Sequence, residues 1–223
     1  MKFGGFQELT LLDFPGEPAV LLFTSGCNFR CVYCHNWKIA WKITGADEKE
    51  IMERIERTGL KAVAITGGEP LFWPEMVDFI RNLKEKGYKV KLDTNGCFPD
   101  RVEALLDYVD YWAMDVKAPW SKYSELAGVQ VDTERIQRSL RLIREGAKDY
   151  EFRTTAFSTL ELEDYEIIGQ QVEGAKYHVI QQFSPELAPV EWVRKLKPRD
   201  RAFLERAAEI LRKYVKKVDI KNI

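Results

Sequence analysis

The chain has 223 residues, enough for one domain with a full hydrophobic core and too few for two comfortable ones. Its 34 basic and 35 acidic side chains leave a formal net charge of −1, which removes the usual electrostatic reason to expect nucleic acid or an anionic membrane as partner. No run approaches the roughly 20 apolar residues of a transmembrane helix, and the opening residues lack the apolar core of a signal peptide. We therefore expect a cytoplasmic enzyme with a single domain over residues 1–223, comprising a lead-in over 1–18 and a C-terminal helix and tail over 199–223.

Short β-branched runs alternate with longer amphipathic stretches along the chain. The short runs predict six strands, over Ala19–Thr24, Ala62–Thr66, Tyr88–Asp93, Tyr111–Lys117, Tyr150–Ala156 and Tyr177–Phe183. The amphipathic stretches predict helices near Asp47–Arg57, Pro74–Lys86, Pro99–Leu106, Thr133–Glu145, Glu161–Val172 and Arg199–Lys216. Because each crossover must carry the chain back over the sheet, this alternation predicts an α/β fold with parallel strands. An open doubly wound sheet and a partial barrel both satisfy the pattern.

Polar side chains collect where the predicted strands end, at Thr24, Thr66, Asp93 to Asn95, Asp115 and Lys117. Active sites of parallel α/β folds lie at the C-terminal ends of their strands. The sequence therefore places the candidate site at this edge of the sheet.

Three of the four cysteines fall within eight residues, directly after the first predicted strand, at Cys27, Cys31 and Cys34. Spacings of three and two residues let one short loop wrap a four-iron cluster with three thiolates, which leaves one iron open. A structural zinc site would need a fourth ligand, and His35 is poorly placed beside a ligating cysteine. The spacing favours a [4Fe–4S] cluster over zinc, with Cys97 as a small buried hydrophobe.

The C-x3-C-x2-C loop, with Tyr33 before its third cysteine, resembles the signature of the radical S-adenosylmethionine (SAM) superfamily. Gly67-Gly68-Glu69-Pro70 follows the second predicted strand and resembles the family's GGE motif, which in relatives holds the amino group of SAM. The residue types agree with that role, since glycines let backbone approach a ligand and a carboxylate accepts hydrogen bonds from an ammonium. Alone, the same four residues would be an ordinary turn.

Several further motifs resemble the activating enzymes of glycyl-radical enzymes: Cys34-His35-Asn36, Asp93-Thr94-Asn95-Gly96 and Met114-Asp115-Val116-Lys117. The lead-in Leu11–Gly16, followed by Phe23–Asn28, is similar to the activating proteins of anaerobic ribonucleoside-triphosphate reductase. This resemblance implies a partial (β/α)6 TIM-like barrel. It also implies an oxidoreductase that reductively cleaves SAM to a 5′-deoxyadenosyl radical and generates a glycyl radical on a partner enzyme, most closely anaerobic ribonucleotide reductase.

The resemblance also implies roles for the polar residues at the strand ends. Glu69, with Gly67 and Gly68, would anchor the amino group of SAM, and Lys117 would pair with its carboxylate. Asp115 would bind the ribose hydroxyls or a cation. The alternative for Asp115 and Lys117, which share one face of a strand, is a structural ion pair.

Asp93 and Thr94 would add to the ligand or cation shell, since relatives hold a monovalent cation near the matching aspartates. Arg153 lies inside the fifth predicted strand and either pairs with the carboxylate of SAM or faces solvent. On the sixth strand, His178 or Gln182 either reaches the ribose or adenine or is a satisfied core residue. Tyr33 either approaches the adenine or excludes water from the cluster.

Only Cys97 is left beyond the three proposed ligands, so we expect one cluster and an external electron donor such as a ferredoxin or flavodoxin. A short chain without a separate substrate domain favours a protein substrate. The first alternative is a radical SAM enzyme acting on a small molecule, like 7-carboxy-7-deazaguanine synthase. The second is a non-enzymatic iron–sulfur or zinc scaffold, which would not need the polar strand ends.

Overall fold

The computed structural model describes residues 1–222, which form eight strands and nine α-helices. The strands are β1 (Phe3–Thr10), β2 (Ala19–Thr24), β3 (Ala62–Gly67), β4 (Lys89–Thr94), β5 (Tyr111–Asp115), β6 (Tyr150–Ala156), β7 (Tyr177–Gln182) and β8 (Lys217–Lys221). The helices are α1 (Trp37–Ala40), α2 (Glu48–Thr58), α3 (Met76–Glu85), α4 (Pro99–Glu103), α5 (Tyr123–Ala127), α6 (Thr133–Gly146), α7 (Leu162–Gln171), α8 (Glu191–Arg194) and α9 (Arg201–Leu211). No helix within this described part of the chain is both long and apolar enough to cross a membrane.

The eight strands follow one another in the sheet in the same order as in the chain. β1 runs antiparallel to β2, whereas β2 to β4 pair in parallel and β6 to β8 pair in parallel. A doubly wound sheet would reverse the strand order at a switch point, and no reversal occurs among the described strands. The predicted α/β fold with parallel strands is confirmed, in the sequential order that a partial barrel requires.

The six predicted strands correspond to β2 through β7, while β1 and β8 were not predicted. β1 carries Gly4 and Gly5, which weaken the strand signal of its sequence. β8 begins at Lys217, directly after the last predicted helix over Arg199–Lys216, and no strand was predicted there. That helix begins where Asp200 accepts a hydrogen bond of 2.7 Å from the backbone N–H of Phe203, and it ends at Leu211.

The chain divides into two compact units. The first comprises residues 1–28, 36–113 and 135–149, and the second comprises residues 29–35, 114–134 and 150–222. In the first unit, Phe14 packs with Ala19 and Leu21 of β2 and with Ala62 and Ala64 of β3. In the second, Tyr165 of α7 stacks edge-on against Phe203 of α9, with ring centroids 6.0 Å apart. Each unit therefore has its own buried apolar contacts, which position the strand ends discussed next.

Candidate cofactor site

In the first unit, the two glycines after β3 allow close contact with the segment that leads to Cys27. The N–H of Gly68 donates to the carbonyl of Thr24 at 2.8 Å, and that of Glu69 donates to the carbonyl of Gly26 at 3.0 Å. A Cβ on Gly68 would lie 2.0 Å from the oxygen of Gly26, and Gly67 has a φ of +116°. The glycine pair thus permits backbone to approach backbone, in a conformation that other residues rarely adopt.

The carboxylate of Glu69 is buried, with 1% of the residue exposed. It accepts hydrogen bonds from the Thr94 hydroxyl at 2.8 Å, from the Asn95 N–H at 2.6 Å and from the Leu71 N–H at 3.0 Å. The structure therefore brings together Glu69 and Thr94, two of the predicted site residues. The carboxylate of Glu69 thus accepts hydrogen bonds from three donors within the protein. Its expected contact with the amino group of SAM stays a prediction.

Asn95 links the end of β4 to the start of the cysteine loop. Its side-chain amide donates to the Oδ1 of Asn28 at 2.9 Å, and its Oδ1 accepts from the N–H of Cys97 at 3.0 Å. Asn28 directly follows Cys27. Asn95 was predicted to lie at a strand end of the candidate site, but no role was assigned to it from the sequence.

Asp93 pairs with Lys91, which the sequence analysis did not single out. The Nζ of Lys91 lies 2.5 Å from the Oδ1 of Asp93, and the lysine side chain is the more buried of the two. The two residues are two positions apart in β4, so their side chains lie on the same face of the strand. The i, i+2 spacing could have predicted the ion pair of Lys91 and Asp93 from the sequence, because Asp115 and Lys117 have the same spacing and were considered as a pair.

In the second unit, the cysteine loop rests on α5. The N–H of Arg30 donates to the carbonyl of Ala127 at 2.8 Å, and the ring of Phe29 meets that of Tyr123 at 6.5 Å. α5 ends at Gly128, which has a φ of +67°, and a Cβ there would lie 2.2 Å from the oxygen of Arg30. A left-handed glycine cap therefore lets this helix end lie directly against the loop.

The three predicted ligands differ in their burial. Cys27 in the first unit and Cys34 in the second are half-buried, whereas Cys31 is buried. No disulfide and no ready-made group of three His, Cys, Asp or Glu side chains for a single metal ion occurs in residues 1–222. The ligands of a four-iron cluster bind separate irons and need not converge on one ion. Burial raises the pKa of the Cys31 thiol, while the charge of Lys117 opposes that rise.

Asp115, Lys117 and Arg153 form one charge network in the second unit. The Nζ of Lys117 lies 2.8 Å from one oxygen of Asp115, and the Nε of Arg153 lies 3.1 Å from the other. Burial acts to lower the pKa of Lys117, but Asp115 foremost, with Tyr33 and Cys31, raises this pKa well above its usual value. The ion pair held open in the sequence analysis is therefore present, and Arg153 faces Asp115 rather than solvent.

The Tyr33 hydroxyl is buried beside this network and has no hydrogen-bond partner among residues 1–222. Its ring packs on Phe157 at a centroid distance of 5.1 Å, and burial raises the pKa of the phenol well above its usual value. A buried donor without a partner is rare in a finished structure. This hydroxyl and the three thiols of one loop fit a site that a bound group completes.

His178 and Gln182 on β7 each have a partner within the protein. The Nε2 of His178 lies 3.0 Å from the hydroxyl of Thr154, and burial lowers the pKa of this histidine to about 3. The amide of Gln182 donates to the carbonyl of Arg199 at 2.7 Å and accepts from the N–H of Phe183 at 3.0 Å. Gln182 thus matches the interpretation as a satisfied core residue, whereas the buried Nδ1 of His178 has no hydrogen-bond partner among residues 1–222. Contact of either residue with SAM stays a prediction.

The model of the radical SAM superfamily matches residues 21–169, which include the cysteine loop and the ends of β2 through β6. The chain belongs to the radical SAM superfamily. Members of this superfamily use a [4Fe–4S] cluster and SAM, so the predicted cofactors are confirmed at the level of the family. The radical SAM family also accounts for the fold predicted from the sequence.

A radical SAM relative matches nearly the full chain. It is a protein of Methanocaldococcus jannaschii that is named, by inference only, a glycyl-radical enzyme activating enzyme. The two sequences are 34% identical over 98% of this chain and 95% of the relative's length. The 7-carboxy-7-deazaguanine synthase of Methanopyrus kandleri is 32% identical, over 48% of this chain and 52% of its own length. This radical SAM chain is therefore similar to the Methanocaldococcus jannaschii protein over nearly its full length, and to the synthase over about half of it.

Among solved structures, SuiB of Streptococcus suis bound to its precursor peptide SuiA has a TM-score of 0.71. The match covers 95% of this radical SAM chain and 50% of SuiB, at 19% sequence identity. The chain thus spans about half the length of SuiB. At this identity the likeness supports the fold and no more.

Proposed function

We propose that this radical SAM enzyme is an activase that reductively cleaves SAM to a 5′-deoxyadenosyl radical and generates a glycyl radical on a partner enzyme. The partner we propose is anaerobic ribonucleoside-triphosphate reductase. The full-length match at 34% identity carries the activase assignment. The lead-in Leu11–Gly16 and the segment Phe23–Asn28, which resemble activating proteins of that reductase, support the choice of partner.

Cys27, Cys31 and Cys34 would hold the cluster. When bound, the cluster and SAM supply the one-electron chemistry, and the protein supplies position and exclusion of water. Cys31 must lose its proton to become a ligand, and the adjacent Lys117 stabilises its thiolate. The buried ring of Tyr33 on Phe157 keeps water from this side of the loop.

Lys117 and Arg153 would orient SAM through its methionine carboxylate. Both cations contact Asp115, and both are residue types that also bind the carboxylate of a ligand. In the first unit, Glu69 holds the end of β4 against the turn at Gly67 and Gly68 through Thr94. We propose that this turn receives the amino group of SAM.

The test is anaerobic reconstitution with iron and sulfide, followed by reduction with dithionite in the presence of SAM. We expect slow formation of 5′-deoxyadenosine by the enzyme alone, because a site without its substrate is open to water. Adding the reductase of the same organism, or a peptide from its C-terminal glycyl loop, should accelerate turnover. Electron paramagnetic resonance should then detect a glycyl radical. A matched peptide with alanine in place of the radical-bearing glycine should give no such signal.

A second candidate is an enzyme acting on a small molecule, which the partial match to 7-carboxy-7-deazaguanine synthase supports over half of the chain. Rapid turnover on the substrate of that synthase, with no radical on any glycyl-radical enzyme of the organism, would establish this candidate in place of the activase. A non-enzymatic scaffold is disfavoured, because the chain belongs to a superfamily of SAM-dependent enzymes. If the protein with a fully reconstituted cluster cleaved no SAM, the non-enzymatic scaffold would become the favoured interpretation.

A further inference from the structure

The second unit exposes two large apolar side chains on the segment between β7 and α9. Leu187 and Trp192 are each 51% exposed. This segment, residues 183–200, contains the short helix α8 and otherwise irregular backbone. Large apolar side chains at such exposure mark a candidate surface for protein contact when other observations agree.

Hydrogen bonds at its C-terminal end hold the segment in place. The hydroxyl of Ser158 donates to the carbonyl of Lys197 at 2.7 Å, and the amide of Gln182 donates to the carbonyl of Arg199 at 2.7 Å. The guanidinium of Arg199 in turn donates to the carbonyl of Leu160 at 2.7 Å. The segment is therefore an ordered surface, and its side chains have defined neighbours.

Trp192 is the outer end of a series of packed rings that reaches the cysteine loop. Its ring centroid lies 6.3 Å from that of Phe157, which lies 5.1 Å from that of Tyr33. Tyr33 directly precedes Cys34, a proposed cluster ligand. We call Trp192, Phe157 and Tyr33 the aromatic path. It is a continuous stack within the second unit, from a half-exposed ring to the covalent neighbour of a ligand.

The start of the segment also meets the cysteine loop. His35, which directly follows Cys34, is near enough to Glu186 and to the backbone of Ser184 for both to act on it electrostatically. The segment thus adjoins the residues on both sides of Cys34, through Tyr33 and through His35. A protein bound to this segment would be separated from the cluster ligand by packed side chains and not by solvent.

The charge of the segment selects the kind of partner. Arg194 and Lys197 are exposed and form no ion pair with any acidic side chain in residues 1–222, whereas Lys195 pairs with Glu191 at 2.8 Å. The chain as a whole is close to neutral, and the exposed Glu186 precedes Leu187. Arg194 and Lys197 still give the part of the segment that follows Trp192 a local excess of exposed positive charge. A basic patch around an aromatic side chain complements an acidic protein surface.

We propose that this surface, formed by Leu187, Trp192, Arg194 and Lys197, is the docking site of an acidic one-electron donor protein. The inference rests on the proposed function, in which the cluster must gain one electron from a donor before SAM is cleaved. The reduced flavin or iron–sulfur centre of the donor loses one electron and the cluster gains it. No bond is made or broken and no proton is transferred. The aromatic path is the route between them.

The experiment uses the reconstituted holoenzyme and a purified acidic flavodoxin. Calorimetry with oxidised flavodoxin measures binding, and stopped-flow bleaching of the visible cluster absorbance by flavodoxin hydroquinone measures electron transfer. The test variant is Arg194→Glu/Lys197→Glu. The matched control is Arg212→Glu/Lys216→Glu, which reverses two cations that are also exposed in the second unit.

We expect the test variant to weaken flavodoxin binding and slow bleaching at limiting donor by about tenfold at low salt, and by less at high salt. The control variant should match the wild type, and dithionite should reduce all three proteins equally. Trp192→Leu should lower the bleaching rate at saturating flavodoxin, while Trp192→Phe should retain most of it. Equal binding and bleaching in the test and control variants would overturn the docking site. An unchanged saturating rate in Trp192→Leu would overturn the assignment of Trp192 as the entry point.

Two further outcomes separate this inference from the proposed function. If dithionite-reduced enzyme cleaves SAM but the test variant bleaches normally with flavodoxin, the docking site is wrong and the function stands. If the test variant fails to place a radical on the glycyl-radical enzyme under dithionite, yet accepts electrons from flavodoxin, the surface binds the protein substrate and the donor assignment is overturned.

Discussion

The hydroxyl of Thr94 donates a 2.8 Å hydrogen bond to the buried carboxylate of Glu69. The bond ties the end of β4 to the turn after β3, and the backbone N–H of Asn95 reinforces it at 2.6 Å. Both residues were predicted to face a ligand. Their first partners are each other, so the turn that would receive SAM is shaped before any ligand binds.

Replacing Glu69 by Gln should destabilise the first unit. The carboxylate accepts three hydrogen bonds, and the N–H₂ of a glutamine would face at least one of their donors, so that at least one of these bonds is lost. Buried hydrogen bonds to charged groups contribute about 1.5–3 kcal/mol each. We expect a loss of about 2–3 kcal/mol in the free energy of unfolding, measured with urea. Glu53→Gln, an exposed site, is the control. Equal stability of the two variants would contradict the role of Glu69.

Each of Cys27→Ala, Cys31→Ala and Cys34→Ala should abolish SAM cleavage, whereas Cys97→Ala should not. Two remaining thiolates cannot hold a four-iron cluster that keeps one iron open. Iron and sulfide content and visible absorbance after reconstitution measure the cluster directly, and 5′-deoxyadenosine measures turnover. A Cys97→Ala protein that fails to bind iron would show the ligand assignment to be wrong.

Asp115→Asn should be more destabilising than Lys117→Met. The first change leaves two cations, Lys117 and Arg153, without their shared carboxylate, at a cost of about 3 kcal/mol. The second leaves Asp115 paired with Arg153. Since the pKa of Lys117 is raised in the folded state, its stabilising contribution is complete below its unfolded pKa of about 10.4 and is lost as pH rises through the folded value. Urea unfolding should therefore rank the variants identically at pH 7 and pH 9, and a reversed order would refute the shared-carboxylate arrangement.

His178 should make the protein less stable in acid. Burial lowers its pKa from 6.5 to about 3, so between these values the unfolded chain binds a proton that the folded chain does not. Stability therefore falls with decreasing pH by up to about 1.4 kcal/mol per unit in this window. The difference in unfolding free energy between pH 7 and pH 5 should be smaller in His178→Gln than in the wild type. Parallel pH profiles would mean that the pKa of His178 does not differ between the folded and the unfolded protein.

The six central strands were predictable from sequence because they are short runs rich in β-branched or aromatic residues. β1 was not, since Gly4 and Gly5 dilute its pattern and its pairing with β2 depends on tertiary structure. The helical prediction over Arg199–Lys216 included the turn that ends α9, and β8 begins one residue after that range. Local signals therefore predicted the parallel repeat and failed at its two edges, where fewer neighbours reinforce the pattern.

The candidate site, like the fold, was predicted only in part from the sequence. Asp115, Lys117 and Arg153 were each named from their strand positions, yet only packing shows that one carboxylate serves both cations. Lys91 and Asn95 were missed as participants because their partners, Asp93 and an asparagine of the cysteine loop, are recognised only once the strands are placed. Residue type and spacing predicted candidates, while the hydrogen-bond partners required the folded chain.

The last prediction compares two glycines with nearly the same backbone conformation. Gly128 and Gly59 both end helices in the left-handed region, with φ of +67° and +69°. A Cβ on Gly59 meets nothing within 4 Å, whereas a Cβ on Gly128 would lie 2.2 Å from the carbonyl oxygen of Arg30 in the cysteine loop. Gly59→Ala should therefore lose only the left-handed preference, about 1 kcal/mol.

Gly128→Ala carries the same backbone cost and must also push the cysteine loop away from α5, because the clashing atom is backbone and cannot rotate aside. We expect a larger loss of unfolding free energy than in Gly59→Ala, measured with urea. We also expect a lower iron content after reconstitution, since the loop between Cys27 and Cys31 is displaced. If the two variants lose equal stability and bind equal iron, the contact between Gly128 and the loop does not constrain the cluster site.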